Sequence, residues 1–508
     1  MKATIRIGRA GLLAAVGGGA LLTFQPASAD TLQEAVAKVD SSTPAVAPLA
    51  GTVDTLRDAL IRAYSSNPTL TAQRSQLRSV DEGVAIAKSQ TRPQLSGTVG
   101  FNQDITSTGG GNGRNFTAGV DVSLPLWAGG GIKNSISAAK TRVQAGRADL
   151  RAVEGDVFVE AVASFMDVIR DRSIVSLNEN QVKVLETNLQ ATRDRFEVGD
   201  LTRTDVAQSE ARLSLARSQL ATAQGQLTAS EENYRRVIGA WPGDLAPPPP
   251  LPTLPGTAEQ AVDTALANNP DLRSIHEQIR AAGLDVRVAR SDRLPTISGV
   301  STTRYTNFLG TADEQFAPGA PNNSTDMGIG LQARVPLYQG GLVGARVRQS
   351  QAIQSRLLEQ GIAVERSVVA TARSAFAAYR ASLEAIDSNQ AAVEANTLAL
   401  EGTRAEQSVG TRNVLDVLNA EQELLSSQVE LVRARRNAYV AGFQLLNAMG
   451  QAEARDLNLD SGPLYDPTVN YRRVVGRIDD WEDDQTPAPV ATRTVGPNAP
   501  PPPGTKAP

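Results

Sequence analysis

The chain has 508 residues, a formal net charge of −4, one histidine, four methionines and no cysteine. Disulfide stabilisation is therefore excluded, and the scarcity of His, Met and Cys argues against a dedicated metal site. The negative charge argues against a nucleic-acid partner. Beyond residue 29, no apolar run reaches the roughly 18 residues that a membrane-spanning helix needs, so a membrane role would have to come from β-strands.

The first residues have the pattern of a secretory signal peptide. Basic residues at positions 2–9 precede an apolar stretch at 10–24 that is too short to span a membrane, and small residues at 27–29 form a cleavage pattern. We expect residues 1–29 to be removed, which lowers the formal charge from −4 to −7 because three positive charges are lost. The following segment, 30–54, is expected to be poorly ordered.

The mature chain contains two copies of one unit. Asn67-Pro68 returns as Asn269-Pro270 at an offset of 202, and the Pro-Leu-Trp-Ala-Gly-Gly sequence at 125–130 returns as Pro-Leu-Tyr-Gln-Gly-Gly at 336–341, an offset of 211. The nine extra residues fall before position 336, where the polar, Gly/Pro/Asn-rich stretch 307–326 predicts a loop.

This repetition predicts the organisation of the mature chain. The two copies are separated by a proline-rich linker, which we expect to act as a semi-rigid spacer, and the C-terminal end is rich in proline and polar residues, which predicts disorder. The predicted parts are the first repeat at 55–246, the linker at 247–256, the second repeat at 257–450, a C-terminal segment at 451–484 and a disordered tail at 485–508.

Each repeat is predicted to contain one very long helix and a shorter returning helix. Proline is absent from 126–241 and from 337–462, and these stretches consist mostly of good helix formers. A helix over 129–197 would be roughly 100 Å long. Gly199 and Gly410 mark sharp reversals as helix C-caps. Apolar residues follow a narrow coiled-coil seam, which such a rod can bury only against neighbours along its length.

Each repeat is also predicted to contain a strand pair before its long helix. Apolar and polar residues alternate over 116–126 and 327–337, while 95–101 and 296–306 carry weaker patterns. Alternation alone favours a half-buried sheet in a soluble protein. The export signal, the Gly-rich turn at 109–113 and the second copy favour membrane strands instead. Four strands cannot close a barrel, whereas three copies of the chain would supply twelve.

These motifs together resemble the TolC family of outer-membrane efflux and secretion ducts. The resemblance covers about 55–450 and depends on the repeated Asn-Pro, the Pro-Leu-Trp/Tyr-x-Gly-Gly sequences and the Val-Gly-x5-Asp-Val turns at 198–206 and 409–417. It implies a mainly α fold with a small β part: coiled-coil hairpins form an α-barrel tunnel, and four strands per chain contribute to a homotrimeric, twelve-stranded membrane β-barrel.

The resemblance further implies a location in the outer membrane of a Gram-negative bacterium, with extension into the periplasm. The trimer would pass drugs or secreted proteins out of the cell, with a periplasmic adaptor (membrane fusion) protein and an inner-membrane pump, in tripartite efflux or type I secretion. Trp127 and Tyr338, at strand ends, suit contact with outer-membrane lipid at the membrane interface. Trp241 and Trp481 are expected to cover apolar patches near the equator of the tunnel, where 451–484 would lie.

Family members close the inner end of the tunnel with polar links around the helix turns. By motif position, Asp205 and Arg412 resemble two partners of such a link, and Asp416 falls where the family often has an acidic ring facing the pore. Asn419 stands where some members have a second pore-facing Asp, and Gln407 where some have a Tyr that joins the link, which implies a looser gate with weaker cation affinity. Without the resemblance, these polar residues would be interpreted as a solvated helix face.

Two other functions are considered. A periplasmic coiled-coil adaptor or structural protein without a membrane barrel would have one helical hairpin flanked by β-rich domains, and not two copies that each begin with a strand pair. An exported hydrolase is disfavoured because no nucleophile–base pair, metalloprotease motif, Walker loop or dinucleotide fingerprint is present. The sequence therefore predicts a passive channel, with no enzymatic activity and no cofactor.

Overall fold

A computed structural model of the chain describes residues 54–105, 113–312, 316, 318–457, 459, 464–491 and 493. The predicted signal peptide lies outside these residues, as do nearly all of segment 30–54 and most of the tail 485–508. Four residues of the predicted Gly-rich turn at 109–113 also lie outside them. Of the tail, 485–491 and 493 are described; 485–490 form exposed coil.

The helices of the two repeats match one another in order and length. The first repeat contains α1 (Leu56–Ser66), α2 (Pro68–Ser89), α3 (Gly131–Glu197) and α4 (Arg203–Ile238). The second contains α5 (Ala258–Asn268), α6 (Pro270–Ser291), α7 (Leu342–Ser408) and α8 (Val414–Ala448), and a short helix, α9 (Thr468–Val474), follows. Thus α3 and α7 each have 67 residues, and the long helices predicted from the missing prolines are observed.

The repeated Asn-Pro pairs start equivalent helices. The side chain of Asn67 accepts the backbone N–H groups of the first turn of α2, and Asn269 does the same for α6. The following proline occupies the first helical position, where its fixed φ fits and its missing N–H costs nothing. Each asparagine amide also donates to a helix carbonyl of the same repeat, Val237 O at 3.0 Å and Ala448 O at 3.2 Å. The motif therefore positions the start of the short helix against the end of the returning helix.

Four antiparallel strands form one sheet in the order β1–β2–β3–β4. They are β1 (Gln94–Gln103), β2 (Arg114–Ala128), β3 (Thr296–Asn307) and β4 (Asn323–Arg334), so the β2–β3 pair joins the two repeats. The mainly helical fold with four strands per chain is thereby confirmed.

Two details of the predicted strands were wrong. The strand predicted at 327–337 ends at Arg334, because Pro336 has no backbone N–H with which to continue a ladder. The loop predicted at 307–326 is shorter, since β4 already begins at Asn323. The weakly patterned stretch 296–306 forms a full strand that pairs on both sides.

The largest apolar core lies where α1, α3, α4 and α8 come together. Phe158 and Phe165 of α3 and Tyr234 of α4 are completely buried there. Residues after α8 extend this core, because Ala454 and Leu459 belong to it. The prediction that Trp481 covers an apolar patch was wrong, since 93% of its surface is exposed. Trp241 is half-buried, with the Arg235 guanidinium 4.7 Å from its ring centre.

The two long helices differ sharply in burial. In α3, 23 residues are buried, whereas in α7, of identical length, only six are. The reason is that α3 contacts α1, α2 and α4 of its own repeat and also α6 and α8 of the second repeat, while the main contacts of α7 among the described residues are with α5, α6 and α8. The second repeat covers one side of α3. Within one chain, the equivalent side of α7 stays exposed.

Candidate pore constriction at the helix tips

The two helix reversals have the same backbone structure. Gly199 and Gly410 both have φ of +81°, a left-handed conformation that favours glycine. At the first tip, Gly199 N–H donates to Phe196 O and Asp200 N–H to Arg195 O, and the second tip repeats both bonds between Gly410, Thr411 and the end of α7. This Schellman arrangement satisfies the last carbonyls of each long helix. The structure therefore places both glycines at the tips of the hairpins.

Asp205 caps the helix to which it belongs. The Thr202 hydroxyl and backbone N–H donate to the Asp205 carboxylate at 2.7 and 2.8 Å, and Asp205 N–H donates back to the Thr202 hydroxyl at 3.3 Å. This reciprocal capping box satisfies free N–H groups at the start of α4. The hydrogen bonds from Thr202 lower the pKa of Asp205 below its ordinary value. Within one chain, the carboxylate thus holds the first turn of α4.

Arg412 lies at the second tip between two carboxylates. Its Nε donates to Glu406 Oε2 at 2.8 Å, and its other end lies 3.9 Å from Asp416 Oδ2. The hydrogen bond to Glu406 raises the pKa of Arg412 above its usual value. Asp416 also forms a capping box with Asn413, whose side chain accepts Asp416 N–H at 2.8 Å. The charged side chains at the tip of the second hairpin are therefore paired with one another.

The hydrogen bonds of Asp205 go to Thr202, and the ion pairs of Arg412 go to Glu406 and Asp416. In the part of the chain that the structure describes, no ion pair joins Asp205 to Arg412. A link between these two residues remains a prediction that would need a second copy of the chain. Gln407 is half-exposed, and its backbone carbonyl accepts Gly410 N–H at 3.0 Å.

Asn419 forms a contact between the hairpins that sequence reasoning did not identify. Its side-chain oxygen accepts a hydrogen bond from Arg212 of α4 at 2.6 Å. This contact joins the returning helices of the two repeats close to their tips. Nothing in the sequence pairs positions 212 and 419, because the contact depends on how the two hairpins lie side by side.

Glu421 is a second residue of the tip region whose role emerges only from the structure. Its carboxylate accepts hydrogen bonds from Arg404 of α7 and from Asn188 of α3, both at 3.0 Å, and only 3% of its side chain is exposed. The first repeat has the equivalent pair at the offset of 211, Arg193 with Glu210 at 2.6 Å, but there the carboxylate is 49% exposed. The repeat offset could have predicted the pair, but not the burial of one copy.

A further polar contact joins the hairpins farther from the tips. Asp167 of α3 pairs with Arg170 at 2.6 Å and with Arg436 of α8 at 2.8 Å. Between this contact and the tips, a cleft of about 740 Å³ separates α4 from α8. Polar contacts thus connect the two hairpins of one chain both near the tips and farther from them.

The described residues show neither of two other kinds of site. Among them, no helix is both long and apolar enough to cross a membrane. No group of three or more Asp, Glu or His residues in the same part of the chain is arranged to hold a metal ion.

Solved structures with this fold are outer-membrane channels. The CmeC channel of Campylobacter jejuni superposes with a TM-score of 0.68 at 17% identity, covering 84% of this chain and 90% of CmeC. The outer membrane protein VceC of Vibrio cholerae gives 0.67 at 18% identity, covering 78% of this chain and 96% of VceC. This chain therefore shares its fold with these two proteins.

Sequence comparison gives the family. A family model described as outer membrane efflux protein matches residues 59–240 and 261–451. The outer membrane efflux protein BepC of Brucella suis biovar 1 (strain 1330) is 33% identical over 440 residues, covering 85% of this chain and 92% of BepC. TolC of Escherichia coli (strain K12) is 26% identical over 469 residues, covering 85% and 91%. The chain belongs to the outer membrane efflux protein family.

This membership confirms the predicted function and location. The chain is a TolC-type outer-membrane efflux protein, and its family consists of transport channels. The adaptor alternative is overturned, because both repeats match the efflux family and each contributes its own strand pair and hairpin.

Proposed function

We propose that three copies of the chain close into one channel, which passes its substrate outward with a periplasmic adaptor and an inner-membrane pump. The helix tips form the periplasmic constriction of this channel, with Asp205, Gln407, Arg412, Asp416 and Asn419 around it. The observation that carries the proposal is the unequal burial of α3 and α7, which have the same length and equivalent places in the two repeats.

A second copy can cover α7 in the way that the second repeat covers α3. Applying the relation between the repeats once more sets α2 and α4 of the next copy against α7. The apolar residues that α7 leaves exposed, such as Ile353, Leu358 and Leu398, would then gain partners. Because each copy uses one side and offers the other, such head-to-tail contacts close into a ring of three when each copy is rotated by a third of a turn from the last.

The sheet supports the same arrangement and predicts a register. Leu95 pairs with Val122 in the first repeat, and Ile297 pairs with Ala333 in the second. The same pairing therefore recurs, with a shift of 202 positions from β1 to β3 and of 211 positions from β2 to β4. The junction between the repeats pairs Val122 with Ser301. Val122 of β2 corresponds to Ala333 of β4, and Ser301 of β3 corresponds to Val99 of β1. The junction pairing therefore predicts that Ala333 lies opposite Val99 of the next copy. Three copies would then pair every strand edge, in a sheet of twelve strands.

Cysteine cross-linking tests this register directly, because the chain has no native cysteine. We expect Val99→Cys combined with Ala333→Cys to form disulfides between copies, since directly opposed residues on neighbouring strands lie within disulfide distance. The product on a denaturing gel would be a covalent trimer. The matched control is Val99→Cys with Leu331→Cys, a displacement of two residues along β4 that separates the thiols too far. Equal cross-linking of both variants, or none, would contradict the proposed ring.

The constriction requires a separate test. We expect Arg412→Ser, and likewise Asp205→Ala, to raise single-channel conductance in planar bilayers, because each change removes charges that hold a tip in place. The matched control is Arg433→Ser, since Arg433 also forms a half-exposed pair, with Glu430 at 2.7 Å, but lies away from the tips. Unchanged conductance of the tip variants would refute the constriction and leave the trimer intact.

A further inference from the structure

The C-terminal strap, residues 464–484, follows α2 toward the sheet. Its backbone and side chains contact α2 and the residues around it at successive heights. Tyr465 N–H donates to the Tyr64 hydroxyl at 3.1 Å, Asn470 donates to Asp81 at 2.9 Å, and Arg477 O accepts from the Arg92 guanidinium at 2.5 Å. The strap is thus tied along its length, and its direction is the direction of α2.

Apolar contacts hold the middle of the strap in place. Tyr471 and Val475 pack against Val84 and Ala87 of α2, in a cluster that also includes Val143 of α3. These contacts bring the end of the strap to the base of the sheet, because Arg92 lies two residues before β1 begins at Gln94. The same end of the sheet carries Trp127, near the end of β2.

The strap ends in a loop closed by ion pairs. Asp484 lies 2.6 Å from Arg473 and 2.9 Å from Arg477, and Glu482 lies 2.8 Å from Arg477. The hydrogen bonds from Arg473 and Arg477 hold the pKa of Asp484 far below its ordinary value. Trp481 N–H donates to Asp479 Oδ1 at 2.9 Å inside the loop. These ion pairs and this hydrogen bond hold the loop in one conformation.

This loop presents apolar side chains to its surroundings. Trp481 is 93% exposed and Ile478 is 77% exposed, although Glu482 and Asp484 beside them are held in ion pairs. An exposed tryptophan beside an exposed isoleucine indicates a contact surface. Arg477, four residues before Trp481, contacts Arg92 at the base of the sheet, and this end of the sheet carries Trp127, which is 45% exposed.

We infer that Trp481 and Ile478 insert into the interfacial region of the membrane leaflet that faces the periplasm. The inference rests on the proposed function, in which the sheet is the membrane-embedded part. An indole ring suits the headgroup level because it is apolar with one polar N–H. The carboxylates of 479–484 stay on the aqueous side, where they favour zwitterionic over anionic headgroups. The loop thus adds a lipid contact outside the strands and fixes the strap to the bilayer.

The three tryptophans of the chain allow a test in which each position is observed alone. Replacing two of them with phenylalanine leaves Trp481, Trp127 or Trp241 as the single fluorophore of the full-length protein. Each variant is reconstituted into phosphatidylcholine vesicles, with and without lipid that carries a nitroxide quencher near the headgroup. We expect loss of emission from Trp481 and from Trp127 in labelled vesicles, and no loss from Trp241, which is half-buried beneath Arg235.

The outcomes separate this inference from the proposed function. Quenching of Trp127 without quenching of Trp481 would overturn the lipid contact of the loop and leave the sheet in the membrane. Absence of quenching at both positions would overturn the membrane placement itself. If Trp481 is protected from aqueous acrylamide but not quenched by the lipid, protein covers it, and the inference also fails.

Discussion

Replacing Glu421 with alanine tests whether the buried carboxylate holds the tip region of the second hairpin together. The substitution removes the acceptor shared by Asn188 of α3 and Arg404 of α7. The internal repeat supplies a matched control in the same chain, Glu210→Ala. Both positions have an arginine partner 17 residues earlier, and they differ in exposure, 3% against 49%.

The expected cost follows from the surroundings of each carboxylate. A hydrogen bond to a charged group contributes about 1.5–3 kcal/mol, and the half-buried Asn188 amide loses such a bond. Arg404 is 51% exposed, so water replaces most of its bond, as at a surface ion pair. We therefore expect Glu421→Ala to destabilise the tip by about 2 kcal/mol. Glu210→Ala removes only a surface pair and should cost at most about 1 kcal/mol.

Hydrogen exchange measures this difference locally, because amides report the free energy of the opening that exposes them. Since about 1.4 kcal/mol corresponds to a factor of ten, Glu421→Ala should accelerate exchange of the amides in 418–425 roughly 30-fold. Glu210→Ala should accelerate exchange at the start of α4 by no more than about fivefold. Equal acceleration by both variants would refute the reasoning, since burial would then have no influence on what the carboxylate contributes.

Two further predictions concern the tips. Gly410→Ala should destabilise the second tip by about 1–2 kcal/mol, measured by thermal unfolding. The left-handed φ of Gly410 is the cause, since no atom lies within 4 Å of the added Cβ. The control is Gly402→Ala, inside α7 and equally open, which should be neutral or stabilising in the same assay. The second concerns acid. Because the folded pKa of Asp205 lies below its ordinary value near 3.9, its stabilisation is complete above that value and is lost as pH falls through the lower folded pKa. Amides 203–207 should then exchange faster relative to the pH-corrected intrinsic rate, and an Asp205→Ala variant that shows the same pH dependence would contradict the assignment.

The helices could be predicted from the sequence because their signals are local. The predicted span 129–197 is observed at 131–197, and the predicted shorter returning helix is observed at 203–238. Their ends coincide with Gly199 and with Gly239, both of which have positive φ. The reversals and the capping residues act within one turn of chain, so the residue types alone determine them.

The sheet and the tip contacts depend on distant residues, and the sequence predicts them less well. β3 contains mostly Ser, Thr and Gly around 298–303, so its alternation is weak. It is a strand because β2 and β4 bond to it on both sides. Glu210 and Glu421 look equivalent in sequence, but only the second is buried, at a contact with Asn188 of the other hairpin that the sequence does not reveal. The prediction that Trp481 covers an apolar patch was wrong for the same reason, because such a contact depends on residues distant in the sequence.

The doubled chain gives a ring of three copies two alternating kinds of boundary between hairpins. At the boundary inside a chain, Asn188 supplies an amide to Glu421. At the boundary between chains in the proposed ring, the offset of 211 would place Ala399 where that amide stands, so Glu210 would meet a methyl group instead. A substitution at one kind of boundary can thus strengthen or weaken it without changing the other kind. In a ring of six identical single-hairpin subunits, the same substitution would change every boundary.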